Sequence, residues 1–374
     1  MAKRSSPRRP ARLGVLVRAN SSALNDRTAK YVQMLQQNKS NNVISKGSQL
    51  EKLKLHSHLV HDTKGDAETL GEITETAATV SSAVLMTALK MNVSGDVGAL
   101  EGAMVYEPCN TDYCDTEDER LQCVIDKAFV NLGAMMADKV DGKVSVEVDV
   151  TVAHDVAAIE AKARRMKAMF DELKVPDDKV LYKIPATWEG IAAVENLESS
   201  GIHCHVTQVY CIEQAAAAAR AGASLIQVYV NRVRTWYSKQ PREMLVKNNL
   251  SRADDPGVEL TRQISALIHN EGHKAKVIAA SIRNAEDAVA LAGCDYILLN
   301  DRVIQDLNGS FNNVENNFAG SETFEVPEVT MEAFDLALRE SPGAEELDFG
   351  LSRGRDAEDK LKDYIRQKVL PANY

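Results

Sequence analysis

The sequence is defined first by what it does not contain. No run of about 18 apolar residues occurs, so no membrane span is expected. There is no GxGxxG or GxxxxGKS loop to cradle a nucleotide phosphate, which weakens an open doubly wound sheet. There is no HExxH. The one HxxxH, His269 to His273, has a glycine inside it, and a glycine there marks a helix end where the two rings no longer face one way. His56, His58 and His61 cluster in sequence without a ligand spacing. Neither group is expected to hold a metal. The cysteines Cys109, Cys114, Cys123, Cys204, Cys211 and Cys294 follow no zinc or redox spacing. Cys109 and Cys114 share an acidic loop and could pair, but scattered free thiols are the expectation. Positive charge is not in excess: the net charge of −10 argues against nucleic acid as the main partner. Negative charge, in turn, is missing from residues 1–25, which carry Lys3, Arg4, Arg8, Arg9, Arg12 and Arg18 and no Asp or Glu.

What is present is a chain of 374 residues, 44% hydrophobic and 26% charged, long enough to bury a sizeable core. The basic, Ser/Ala/Pro-rich residues 1–25 have the composition of an organelle transit peptide, and 26–50 read as a linker or a loose helix. Val17-Arg18-Ala19 resembles a chloroplast processing site, so the chloroplast stroma is the expected address, with cytoplasm or mitochondrion as alternatives. From 51 to 374 short apolar runs alternate with helical patterns of about a dozen residues, the mark of βα units and a parallel sheet. Strands are expected at 58–62, 76–80, 144–150, 179–184, 203–209, 224–230, 275–281 and 295–299. Eight of them suit a closed (β/α)8 TIM barrel with additional N- and C-terminal helices, the latter at Met331–Arg339 and Ala357–Val369. Glycines 201, 222 and 293 follow helices and precede strands, as left-handed helix ends do. Met166, Met169, Phe170, Trp188 and Ile191 sit at helical spacing and are expected in the core. The acidic stretch Glu107–Glu119 is read as a solvated insertion.

The strands carry polar residues on one face. Successive side chains on a strand alternate between faces. In 144–150 the valines point one way, and Ser145, Glu147 and Asp149 the other, into the barrel. Likewise His203, His205 and Thr207 share a face, Gln227 and Tyr229 lie opposite Ile226, Val228 and Val230, and Ser281 and Arg283 lie opposite Ile278, Ala280 and Ile282. Lys183 shares a face with Leu181, and Pro185 ends its ladder, placing the lysine near the strand's C-terminal end, from which barrels draw their catalytic groups. Burial disfavours the charged form of a lysine and suits it to attack a carbonyl. Lys183, Glu147 and Thr207 are therefore candidates for the nucleophile and the proton-handling groups. Arg232 and Arg283, at different strand ends, suit a phosphate.

Lys183-Ile-Pro-Ala-Thr-Trp-Glu-Gly-Ile191, Val144-Ser-Val-Glu-Val-Asp149, Ala253-Asp-Asp-Pro-Gly-Val258 and Ala280-Ser-Ile-Arg-Asn284 together resemble the transaldolase family. The resemblance runs from about residue 57 to the C-terminus and is poor over 80–140. It implies transfer of a dihydroxyacetone unit between sugar phosphates of the pentose phosphate pathway, through a Schiff base on Lys183 and without metal or organic cofactor. Fructose 6-phosphate and sedoheptulose 7-phosphate would be donors, and erythrose 4-phosphate and glyceraldehyde 3-phosphate acceptors. No nucleic-acid or membrane partner is implied, and a homodimer is left open. The resemblance also implies that Asp62 takes the sugar hydroxyl proton, that Glu147 and Thr207 hold a catalytic water, and that Arg232 and Arg283 bind phosphate. The chain departs from the family pattern in carrying Val80 and His205 in place of two asparagines and Gln227 in place of a phosphate-site serine. It carries Tyr229 in place of a phenylalanine, a feature of the fructose-6-phosphate aldolase relatives. Two alternatives follow: an aldolase-like lyase, or an impaired barrel acting as sugar-phosphate sensor or assembly partner.

Overall fold

A computed structural model describes residues 44–62, 77–82, 84–86, 94–110, 114–241, 243, 255–318 and 328–369. The expected transit segment, 1–25, and most of the expected linker lie outside the described residues. Eight parallel strands form one sheet: β1 His58–His61, β2 Ala78–Val80, β3 Val144–Glu147, β4 Val180–Pro185, β5 Cys204–Val209, β6 Leu225–Tyr229, β7 Lys276–Ala280 and β8 Tyr296–Leu299. The hydrogen-bonded order is β1-β8-β7-β6-β5-β4-β3-β2, so the sheet curls round until its first and last strands are β1 and β2, a nearly closed (β/α)8 barrel.

The helices that matter for the site begin with the short α1 Gln49–Leu53, which precedes the barrel. Around the barrel run α2 Ser94–Met104, α3 Glu117–Ala137, α4 Val156–Glu172, α5 Trp188–Ser199, α6 Ile212–Arg220, α7 Val230–Tyr237, α8 Pro256–Asn270, α9 Ala285–Ala290 and α10 Asp301–Gly309. Two C-terminal helices follow, α11 Met331–Arg339 and α12 Gly343–Val369. Alternation sorts the strand residues as the sequence implies. Val144, Val146, Val180, Ile184, Val206, Ile226 and Val228 join the large core between sheet and helices, together with Met166, Met169, Phe170 and Ile191. Trp188 is half-buried, edge-on to Phe334. Val60, Leu181, Leu225 and Ile278 form a small separate cluster inside the barrel.

Several expectations need correction. β3 stops at Glu147, and Asp149 does not point inward with it. Instead Asp149 accepts from Thr151 N at 2.7 Å, caps a 3-10 turn at Val150–Val152, and turns outward to Lys162. Ile278, expected on the outer face, points into the barrel. The alternation fails beyond it because Ser281 adopts φ 64, a left-handed conformation costly for a residue with a Cβ. Val230 is not strand but opens α7, so Arg232 sits on a helix. The free-thiol expectation fails at Cys109 and Cys123, which form a disulfide, whereas Cys114 is free. The second turn of α3 carries Cys123 back to within 5.5 Å of Cys109 between Cα atoms, a proximity that linear spacing does not display. The acidic stretch is solvated as expected, with Glu107, Asp115, Glu117, Asp118 and Glu119 exposed, and parts of it carry local structure. Glu107–Asn110 is a 3-10 turn, and Thr116 and Glu119 form a reciprocal capping box at the start of α3. Its acidic first turn complements the positive end of the helix dipole. Finally, the last helix begins at Gly343, fourteen residues before the expected Ala357.

Candidate active site at the barrel mouth

Register places Glu147 beside Lys183, Lys183 beside His205, and Pro185 beside Thr207. All of these face the barrel interior. A pocket of about 360 Å3 at the C-terminal ends of the strands brings together Glu147, Lys183, Thr207 and Tyr229, with Val150, Pro185, Gln208, Gly350 and Gly354 completing its walls. Lys183 is 9% exposed. Among the described residues its Nζ has neither hydrogen-bond nor ion-pair partner, so the amine faces the pocket uncommitted. Removal from water pushes the Glu147 carboxyl up, while the Lys183 charge and the Ser82 hydroxyl pull it back. Ser82 Oγ donates to Glu147 Oε1 at 3.0 Å. Thr207 Oγ1 donates to Gln227 Oε1 at 3.0 Å and lies 3.2 Å from Tyr229 Oη.

Other candidates sit around this centre. Asp62 follows β1 at an exposed position on the same end of the barrel, its backbone N–H bonded to Leu299 O. Arg232 donates from Nη1 to Glu346 Oε2 at 2.7 Å and lies over the Phe349 ring, so its charge is engaged by the C-terminal helix. Arg283 is exposed. With the Asn231 amide oxygen turned toward it, the guanidinium donates through Nε and Nη2 at 2.9 Å each. That bidentate bond orients Arg283 yet leaves its charge unneutralised there. His205 and Gln227 line the space below the pocket rather than the pocket itself. Burial and the Lys183 charge hold the His205 ring well below its ordinary range, hence neutral near pH 7, with a Gln227 contact opposing the shift. Val80 is fully buried in the outer core, and the inward residue of β2 is Thr79.

Four contributors escaped the sequence reading. Gln208 takes φ 63 at an irregularity between β5 and β6, which moves its side chain to the pocket wall. Gly350 and Gly354 let α12 lie against the mouth. A Cβ on Gly350 would stand 2.6 Å from Gln208 Oε1, and one on Gly354 2.5 Å from Val150 Cγ2. A glycine pair four apart, facing nothing recognisable in the sequence, was the available signal. Glu346 had none.

An amine at this mouth can add to a carbonyl, with a carboxyl and two hydroxyls at hand to move protons and guanidinium groups at the same end of the barrel for an anion. The family model described as transaldolase/fructose-6-phosphate aldolase matches residues 100–353. The chain is 31% identical to a transaldolase of Protochlamydia amoebophila over 324 residues, 85% of this chain and 97% of that one. It is 33% identical to the transaldolase of Rattus norvegicus over 261 residues, 70% and 74% of the two chains. It is 32% identical to transaldolase 1 of Pectobacterium atrosepticum over 288 residues, 76% and 88%. From the matched domain and these relatives together, this chain belongs to the transaldolase/fructose-6-phosphate aldolase family.

Proposed function

We propose that the protein transfers a dihydroxyacetone unit from a ketose phosphate to an aldose phosphate through an imine on Lys183. The observation that carries this is the uncommitted Lys183 amine, buried at the mouth of the barrel among Glu147, Thr207 and Tyr229. The amine nitrogen adds to the ketose carbonyl carbon, protons pass through Glu147 and a water held with Thr207, and the carbonyl oxygen leaves as water. Asp62 then removes the proton of the hydroxyl on the carbon being released. The carbon–carbon bond breaks, its electrons flow into the protonated imine, and an aldose phosphate departs. The enamine left on Lys183 attacks the acceptor aldehyde, and water hydrolyses the new imine. The protonated imine takes up electrons that a free ketone accepts far less readily. Arg232 and Arg283 bind the phosphate. Fructose 6-phosphate and sedoheptulose 7-phosphate are the donors and erythrose 4-phosphate and glyceraldehyde 3-phosphate the acceptors, which places the enzyme in the pentose phosphate pathway.

Glu346 shapes this reading. It holds Arg232 in an ion pair, so a substrate phosphate has to displace one carboxylate to reach that guanidinium. A second reading rests on the hydroxyl of Tyr229, 3.2 Å from Thr207 Oγ1. That hydroxyl adds a proton donor beside the enamine and favours release of free dihydroxyacetone. Borohydride reduction in the presence of fructose 6-phosphate, followed by peptide mass spectrometry, tests the shared step: an adduct on Lys183 is expected, and an unmodified Lys183 sinks both readings. Product analysis with and without erythrose 4-phosphate then separates transfer from cleavage. The basic segment 1–25 supports a plastid address, and a fluorescent fusion of that segment that stays in the cytosol would overturn it.

A further inference from the structure

Below the catalytic pocket the barrel is not filled. TIM barrels ordinarily pack their interior with layers of side chains. Here an empty volume of about 630 Å3, part of it open to solvent, lies inside the N-terminal half of the strands. Its walls are mostly apolar, from Val60, Leu181, Leu225, Ile278 and Leu298.

Among the described residues, two polar atoms on this wall have no partner: His205 Nε2 and Thr79 Oγ1. His205 is 2% exposed, and its other nitrogen, Nδ1, lies 2.8 Å from Ser145 Oγ on β3, two strands along the sheet. The ring is thereby fixed with Nε2 turned to the cavity. Gln227 is close enough to bias the ring's titration but forms no hydrogen bond with Nε2. A buried donor or acceptor left unsatisfied costs about 1–3 kcal/mol, so such atoms call for a partner.

The chemistry of the wall selects the occupant. At the rim Lys276 is paired with Asp295 at 3.0 Å and Lys143 donates to the Asp178 backbone carbonyl, and the wall inside them is apolar. Burial holds the His205 ring inside well below its ordinary range, hence neutral near pH 7. Nε2 is a donor if the Ser145 hydroxyl donates to Nδ1, and an acceptor if Nδ1–H donates to Ser145. A hydroxyl can meet either case, and a threonine hydroxyl too.

We infer that the lower half of the barrel is a second binding site, for a small uncharged molecule with an apolar body and one hydroxyl, held by His205 Nε2 and Thr79 Oγ1. It is separate from the substrate pocket. It adjoins that pocket through Gln227, which lines the cavity and accepts from Thr207.

Phenol and cyclohexanol are the probes. Calorimetric titration of the full chain is expected to show saturable binding of at least one of them at millimolar concentration or below. Ala77→Phe, which projects a ring into the cavity, is expected to weaken that binding at least about tenfold. Adduct formation on Lys183 is expected to persist in this variant, which keeps the test apart from the fate of the proposed reaction. A crystal soaked with the bound probe is expected to place its hydroxyl within hydrogen-bonding distance of His205 Nε2 or Thr79 Oγ1. That crystal reads out the site should the Phe variant fail to fold. No saturable binding, equal binding by the folded Ala77→Phe protein, or ordered water alone in the soaked crystal would overturn the inference, since water satisfies buried polar groups without any ligand.

Discussion

Two buried lysines behave differently. Lys162, on α4, is 4% exposed and fully engaged: its Nζ is 2.7 Å from Asp149 Oδ2 and 3.2 Å from Asp126 Oδ1. Asp126 also binds Arg165 at 2.7 Å. Asp149 shares a hydrogen bond with Glu358 of α12, so the cluster ties the C-terminal helix to the barrel. Burial alone would raise the Asp149 carboxyl, but Glu358 and Lys162 together hold it well below the usual range. Glu358 is pushed up to about 9 by burial, by its bond to Asp149 and by that neighbour's charge. Lys183 is nearly as buried and has none of this. A buried charge therefore marks structure when its partners are in place, and chemistry when they are missing.

Replacing each lysine breaks the comparison in opposite ways. Lys183→Met is expected to lower turnover by about a thousandfold or more, because the nucleophile is gone, with the denaturant midpoint hardly moved. Loss of stability without loss of turnover would reverse the assignment. Lys162→Met leaves Asp126 and Asp149 without their shared cation. It should cost about 3–5 kcal/mol in urea unfolding, while the protein that remains folded still forms the Lys183 adduct.

The carboxyl pair sharpens the same contrast through pH. Glu358 has a folded value raised from 4.5 to about 9, so the folded state holds its proton more tightly than the unfolded state. Its contribution to stability is fully present below about 4.5 and is lost as pH rises toward 9, by at most about 1.4 kcal/mol per pH unit. Asp149, shifted the other way, contributes above its ordinary range and loses that contribution as the solution becomes strongly acid. Unfolding curves between about pH 5 and about pH 9 should therefore show a slope that Glu358→Gln flattens. An equal slope in both proteins would show that the pair does not hold a proton.

The smallest effect concerns the half-exposed pair at the mouth. Glu346→Gln frees Arg232, and KM for a phosphorylated donor should fall about two- to fivefold at constant kcat, the range of a partly exposed ion pair. An unchanged KM would mean that Glu346 and the phosphate do not compete.

Much of this was legible in the sequence because it rests on local rules. Alternation alone identified the inward faces of β4, β5 and β6, and with them Lys183, Thr207 and Tyr229. Helix α11 falls on its expected bounds, Met331–Arg339, since its apolar spacing and Thr330 cap are both local signals. Where the reading failed, long-range packing had overridden a local pattern. Asp149 continues the alternation of β3 on paper, but Lys162 and Glu358 draw it outward. Glycines 350 and 354 lower helix propensity and masked the first half of α12, although the close approach of that helix to Gln208 and Val150 requires them.

The sequence by itself determined which residues could carry the chemistry, because periodicity and side-chain type are properties of neighbours along the chain. Only the tertiary structure decided which of those residues are committed and which are free. Lys162 and Lys183 differ in their partners, Arg232 is shared with a helix 114 residues away, and His205 is left with one bare nitrogen over a cavity. Pairing of this kind depends on distances between segments remote in the chain, which no local pattern records.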